Sequence, residues 1–304
     1  MEERPVPGAC VWLEPGLRRV LAPNPSPMTH WGTNSYILGE GEVAVIDPGP
    51  DLPAHRDALL AALRPGERIS VILVTHAHRD HSPLALPLAA LVRTEVLAFG
   101  PADAGRSPRM AELAAEGIGG GEGVDAGFAP HRCLSDGERV CGPDWEIEAL
   151  HTPGHFGNHL CFAWGDRCFS GDHAMGWASS LVSPPDGDMG AYMASLERLA
   201  RRPWRVLHPG HGAPVTDPAH RLAWLASHRR EREASLLATL AQGPATLKDL
   251  TGRVYADTPS ELLPAAARNL LAHLIHLTER GAVTAGPGTL EDAIYTMLDD
   301  DRRR

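Results

Sequence analysis

Through the first two-thirds of the chain, short apolar runs alternate with segments of helical periodicity. Ser35-Tyr36-Ile37-Leu38, Val43-Ala44-Val45-Ile46 and the run from Ile69 to Val74 read as strands, the last of them buried. Val96-Leu97-Ala98-Phe99 follows as another. Residues 53–63 and 83–92 read as helices, with Pro83 suited to a first turn. Strands return at 146–150, 160–164 and 167–170, the last two flanking the hairpin signal Gly165-Asp166. Residues 189–201 are helical and Trp204-Arg205-Val206-Leu207 is one more short strand. Parallel and hairpin signals together predict a mixed α/β fold.

From Pro218 the texture turns helical. Residues 219–242, 247–254 and 264–279 read as three helices, with a small β-wing at Gly281-Ala282-Val283-Thr284. The stretch 100–130, rich in Gly, Ala and Pro, is expected to be a long mobile surface insertion. The tail DDDRRR has no pattern and is expected to fray. The expected division is a catalytic domain over residues 1–217, a helical domain over 218–290 and a tail over 291–304.

Composition adds bounds. The chain has 304 residues, 43% hydrophobic and 22% charged, as in ordinary globular proteins. Residues 221–304 hold 11 Lys/Arg and 11 Asp/Glu, so residues 1–220 carry the whole net charge of −10. That acidic surface disfavours nonspecific binding to polyanions. No apolar run approaches a membrane span, and MEERPVPGAC does not read as a secretory signal; the expectations are no membrane partner and a cytoplasmic location. Five cysteines lack any CxxC pair, which predicts reduced and mostly buried thiols.

The chemistry begins at THAHRDHS, residues 75–82, where His76, His78, Asp80 and His81 follow directly on a buried strand. Alternate residues beyond a strand end can face one side, so His76 and His78 can grip one ion while Asp80 and His81 face a neighbour. Further donors recur past other strand ends: His155 in HTPGHFGNH, Asp172 in FSGDH and His211 in HPGHG. Imidazole and carboxylate suit Zn²⁺, and Fe or Mn fits the same donors. No G-x-S-x-G elbow supports a serine hydrolase, and GIGGGEG at 117–123 lacks the ending and context of a phosphate loop.

These fragments, in this order, resemble the metallo-β-lactamase fold hydrolases. The resemblance implies an αββα sandwich in which His76, His78 and His155 hold one metal. Asp80, His81 and His211 would hold the second, and Asp172 would bridge the two. NPSPMTHWGTNSYILG at 24–39, YMASLERL at 192–199, VYADTP at 254–259 and ARNLLAHLIHLTERGAV at 267–283 are further similar to the β-lactamase-like protein 2 subgroup, with its C-terminal winged-helix-like domain. His173 and the stretch SPPDGDM at 183–189 depart from that subgroup's best-known member.

The implied activity is metal-dependent hydrolysis by a hydroxide bridging two Zn²⁺ ions, with Asp80 as ligand and orienting group. His159 is expected to donate to the substrate's developing charge, Tyr192 to reach the cleft, and Asn34 to brace the N-terminal turn. Three readings stand: a hydrolase of small esters, thioesters or lactone-like substrates; an endoribonuclease on single-stranded RNA; and a non-catalytic metal-stabilised scaffold or regulator. Association into a homo-oligomer is compatible with each. The candidate recognition helix offers only Arg268, with Arg280 beyond and Glu279 opposing, which favours a lid over a duplex reader.

Overall fold

The computed structural model describes residues 4–119 and 123–298. Its first sheet joins β1 (Cys10–Glu14), β2 (Leu17–Leu21), β3 (Asn34–Leu38), β4 (Glu42–Ile46), β5 (Arg68–Leu73), β6 (Glu95–Ala98) and β7 (Arg132–Cys133) in sequence order. Pairing is antiparallel up to β4 and parallel from β4 to β7. The second sheet runs β12 (Val206–Pro209), β11 (Arg167–Gly171), β10 (Leu160–Trp164), β9 (Glu146–His151) and β8 (Arg139–Cys141).

The period-2 rule explains why these strands are apolar on both faces. Ile37, Val43 and Val45 point to a core shared with α1 (Pro53–Ala61) and α2 (Ala85–Val92). Their neighbours Tyr36, Leu38, Ala44 and Ile46 meet Ile147, Ala149, Leu160, Phe162 and Phe169 of the other sheet. The far face of the second sheet, through Leu150, Cys161 and Cys168, packs on α4 (Met189–Ala200) and α5 (Pro218–Leu240). The result is the αββα sandwich, four layers around three apolar interfaces.

A smaller C-terminal unit follows: α6 (Leu247–Val254), α7 (Leu263–Glu279) and a three-stranded sheet in the order β13 (Ala245–Thr246), β15 (Ile294–Met297), β14 (Val283–Ala285). Here the structure departs from expectation in two ways. Residues 294–297 are no tail, since β15 is the central strand of that sheet and Tyr295 is fully buried. The boundary expected at 217/218 falls at the start of α5, a helix that serves two cores. Its Leu222 and Leu225 pack with α4, and its Leu236 and Leu240 pack with α6 and α7.

Second, the stretch 100–130 is docked over much of its length. It forms α3 (Pro108–Ala115), capped by Ser107, whose Met110 and Leu113 enter the C-terminal core. Arg106 pairs with Asp186 at 2.5 Å and the Ser107 hydroxyl donates to Asp188 at 2.7 Å. The amphipathic spacing of Met110 and Leu113 is hidden in sequence by the flanking Ala and Gly. GIGGGEG lies partly, and the tail DDDRRR wholly, outside the described residues. Of the cysteines, Cys161 and Cys168 are buried, while Cys10, Cys133 and Cys141 are exposed; all five are free. An exposed thiol is tolerated at these strand and loop ends because nothing packs over them.

Leu113 has no exposed surface. Leu113→Ala should therefore destabilise the protein by about 2–5 kcal/mol in urea unfolding. A surface insertion would give a change near zero.

Candidate metal centre

The donors gather at one end of the sandwich because each stands just beyond a strand. His76, His78, Asp80 and His81 follow β5, His155 follows β9, Asp172 follows β11 and His211 follows β12. They form two groups, His76–His78–His155 and Asp80–His81–Asp172–His211, each with ligand atoms within 4.8 Å of one another. His78 Nδ1 lies 2.9 Å from His76 Nε2 and 3.1 Å from His155 Nε2. His211 Nε2 lies 3.0 Å from Asp80 Oδ2 and 3.3 Å from both His81 Nε2 and Asp172 Oδ2. Asp172 Oδ2 is also 3.9 Å from His155 Nε2, so this carboxylate stands between the groups.

Hydrogen bonds behind the donors assign the imidazole tautomers. His155 Nδ1 donates to the Leu181 carbonyl at 2.6 Å, and His211 Nδ1 to the Gly32 carbonyl at 3.1 Å. His81 Nδ1 donates to Asp47 Oδ2 at 2.9 Å. The Thr75 hydroxyl gives its proton to Asp47 Oδ2 at 2.7 Å, so at 2.9 Å it accepts from His76 Nδ1. In their neutral forms these four rings therefore turn unprotonated Nε2 atoms inward. Lone pairs facing one another at about 3 Å, beside two carboxylates, are satisfied by cations at their centre.

The electrostatics agree. Burial, then neighbouring imidazoles, push His78 down to about 3 and His76 well below the usual range. Burial likewise lowers His155. Burial opposes charge on His81 and His211, yet the carboxylates of Asp80 and Asp172 overcome it, raising His211 to about 10. Against their own burial, Asp80 and Asp172 are held well below the carboxylate range by those imidazoles. One group thus stays neutral with open lone pairs, and the other calls for positive charge. Both suit the binding of divalent metal.

Asp47 was not singled out from the sequence. It follows β4 in Asp47-Pro48-Gly49, a strand-end Pro-Gly context like those of His155 and His211, and that signal was available. It takes the left-handed φ of 50°, unusual outside glycine, and is clamped by Thr75 N at 2.7 Å. Gly210 serves by absence: a Cβ there would lie 2.4 Å from Asp172 Oδ1 and 2.6 Å from His81 Cε1. Asn34 braces the His211 turn, donating to the carbonyls of Pro209 at 3.0 Å and Gly212 at 2.8 Å.

His159 and Tyr192 do not come to the cleft. His159 is fully buried, its Nδ1 3.0 Å from the Thr152 hydroxyl and its ring 5.1 Å from that of His76. Tyr192 is fully buried and donates to the His173 carbonyl at 3.1 Å. Its backbone lies under Gly154, where a Cβ would stand 2.2 Å from Tyr192 Cα. Both therefore pack behind the donors, and neither lines the cavity.

That cavity, about 520 Å³, opens on His78, Asp80, His155 and Asp172. Met28, Met175, Trp177 and Leu181 line it from the sandwich, and Tyr255, Leu262 and Ala266 from the C-terminal unit. The C-terminal unit also reaches a donor. Asn269 Oδ1 of α7 accepts from Val182 N at 2.9 Å and from Arg229 Nη1 at 3.2 Å, and Arg229 donates to the Ser180 carbonyl. Residues 180–182 thus hang from α5 and α7, and Leu181 among them orients His155.

A four-layer sandwich with strand-end His and Asp donors on a cleft defines a class of metal-binding hydrolases. The chain belongs to the metallo-beta-lactamase superfamily, whose family model matches residues 28–211. The Beta-lactamase associated winged helix domain matches residues 246–288. It is similar to the Beta-lactamase-like protein 2 homolog of Drosophila melanogaster, 30% identical over 286 residues, 90% of this chain and 91% of that one. The Atrochrysone carboxyl ACP thioesterase of Aspergillus terreus is 29% identical over 76% of this chain and 65% of its own. Among solved structures, a metallo-beta-lactamase family protein from Thermus thermophilus superposes with a TM-score of 0.73 at 26% identity, covering 94% of this chain and 100% of its own.

Asp47 touches two donors, directly through His81 and by way of Thr75 through His76. Asp47→Ala should lower metal affinity by about 10- to 100-fold, read by competition with a chromophoric chelator. Unchanged affinity would show that Asp47 only fastens the turn.

Proposed function

We propose that the chain is a dinuclear metal-dependent hydrolase acting on small esters, thioesters or lactone-like substrates. Supporting this is one observation above others: the donors open on an apolar cavity of ligand size, about 520 Å³, and not on a basic channel. Apart from the donor imidazoles, the single cationic side chain on its described wall is Arg232. Single-stranded RNA would need a run of positive charge and stacking faces. The thioesterase name of one relative points the same way for that relative.

His76, His78 and His155 would hold one ion, Asp80, His81 and His211 the other, with Asp172 shared; Zn²⁺ is the proposed metal, and Fe or Mn suits the same donors. Such a pair of cations, when bound, acidifies a water and polarises the scissile carbonyl. The rest falls to the chain's own groups. Asp80 faces the cavity with its side chain 25% exposed, placed to accept a hydrogen bond from the attacking water and aim it. Met28, Met175, Trp177 and Leu181 hold the acyl body and keep bulk water from it. The α7 wall fixes the depth to which a substrate enters.

A panel of thioesters and esters, beside a labelled single-stranded RNA, tests this with metal-loaded and chelated protein. Acyl hydrolysis that chelation abolishes and Zn²⁺ restores is the expected result. Asp80→Ala and Asp172→Ala should each cost roughly 10²–10⁴-fold in kcat/KM. RNA cleavage with an inert acyl panel would overturn the substrate class. Full metal content without any hydrolysis would favour the scaffold reading.

A further inference from the structure

Arg232 sits on α5 with its guanidinium 4.7 Å over the Tyr255 ring, and both residues line the cavity that opens on the donors. Its Nη1 donates to the Val254 carbonyl at 2.9 Å. A guanidinium has five N–H donors, so most of the fork remains. No carboxylate among the described residues pairs with it. Glu231 is taken by the Ser227 hydroxyl at 2.9 Å and Glu233 by Arg280 at 3.1 Å. Two nearby arginines behind the wall are spent on structure: Arg229 on Asn269 and Ser180, Arg268 on Ser183, Pro184 and Glu291.

A half-buried cation, fixed from two sides, with unused donors and no counter-ion, lacks an anion. Among the described residues, the cavity wall has no acid to offer except Asp80 and Asp172, which belong to the metal centre. Thr258 adds one hydroxyl on the same wall, and its neighbours Leu262, Ala265 and Ala266 are apolar. An anion entering here comes attached to an apolar body.

We propose that Arg232 is a specificity-determining residue that binds a carboxylate or phosphate on the substrate, remote from the scissile carbonyl. The substrate class is then an acyl compound with an apolar body and an anionic far end. The inference rests on the hydrolase reading and deepens it. Arg suits the role because its planar fork meets either oxyanion with two parallel hydrogen bonds, and Tyr255 keeps the fork in plane.

The test uses metal-loaded protein and three thioesters of one chain length: an unsubstituted acyl, the same with an ω-carboxylate, and the same with an ω-phosphate. Wild type should prefer at least one anionic member over the neutral one by about 10- to 100-fold in kcat/KM. That ratio should fall to about 1 in Arg232→Ala and reverse toward the neutral member in Arg232→Glu. Arg232→Lys, which keeps the charge and loses the fork, should retain part of it. The carboxylate and phosphate arms tell the two anions apart. Equal ratios in wild type and Arg232→Ala overturn the proposal while leaving hydrolysis intact. Should none of the three thioesters be turned over, calorimetric titration with the diacid mono-amide and the neutral diamide decides Arg232 separately from the hydrolase reading. Tighter mono-amide binding that vanishes in Arg232→Ala sustains it, and equal affinities in both proteins sink it.

Discussion

Four imidazoles, each with its Nδ1 proton committed to a fixed acceptor, turn their Nε2 atoms toward a common centre beside two carboxylates. In the neutral His76–His78–His155 group facing lone pairs find no hydrogen between them, and in the other group Asp80 and Asp172 draw positive charge onto His81 and His211, so the convergence calls for cations. The rest of the structure follows from keeping it. Strand ends present the donors, carbonyls of Gly32 and Leu181 and the carboxylate of Asp47 hold the tautomers, and Gly210 leaves room for the approach. The sheets behind supply stiffness: with both faces of β5 packed, the donors at its end cannot drift without opening a core.

The C-terminal unit is part of this centre and not an appendage. Through α5 it shares the sandwich's apolar interface, and through Asn269 and Arg229 it suspends the segment whose Leu181 carbonyl orients His155. The same helices form one wall of the cavity. Ligand geometry and substrate access are therefore coupled by a single packing interface. Even α3, drawn from a stretch of low-complexity sequence, is used to complete that unit's core.

The donors alone leave the chemistry open, and the substrate class proposed above rests on the cavity. Carbonyl and phosphoryl transfer ask the same of a metal pair. The proposal follows from described walls rich in methionine, tryptophan, leucine and alanine, whose one cation apart from the donor imidazoles is Arg232. Charge agrees at long range, because the sandwich region holds the whole net charge of −10.

What the sequence determined by itself was local: strands as β-branched runs, helices by period, and donors of the right chemistry just past strand ends. His76, His78, Asp80, His81, His155, Asp172 and His211 were legible because each carries its chemistry in its side chain and its placement in its neighbours. Asp47 was not read because its partners, Thr75 and His81, lie 28 and 34 residues on. His159 and Tyr192 have the side chains of catalytic groups, yet burial decided against the cleft, and burial is a property of the packed whole. The central place of β15 and the docking of α3 were likewise settled by cores that no segment forms alone. Arg232 sits in an arginine-rich helix that reads as a solvated face. Only the fold, by turning that face over a cavity and pairing its neighbours elsewhere, leaves the Arg232 guanidinium without an anion among the described residues.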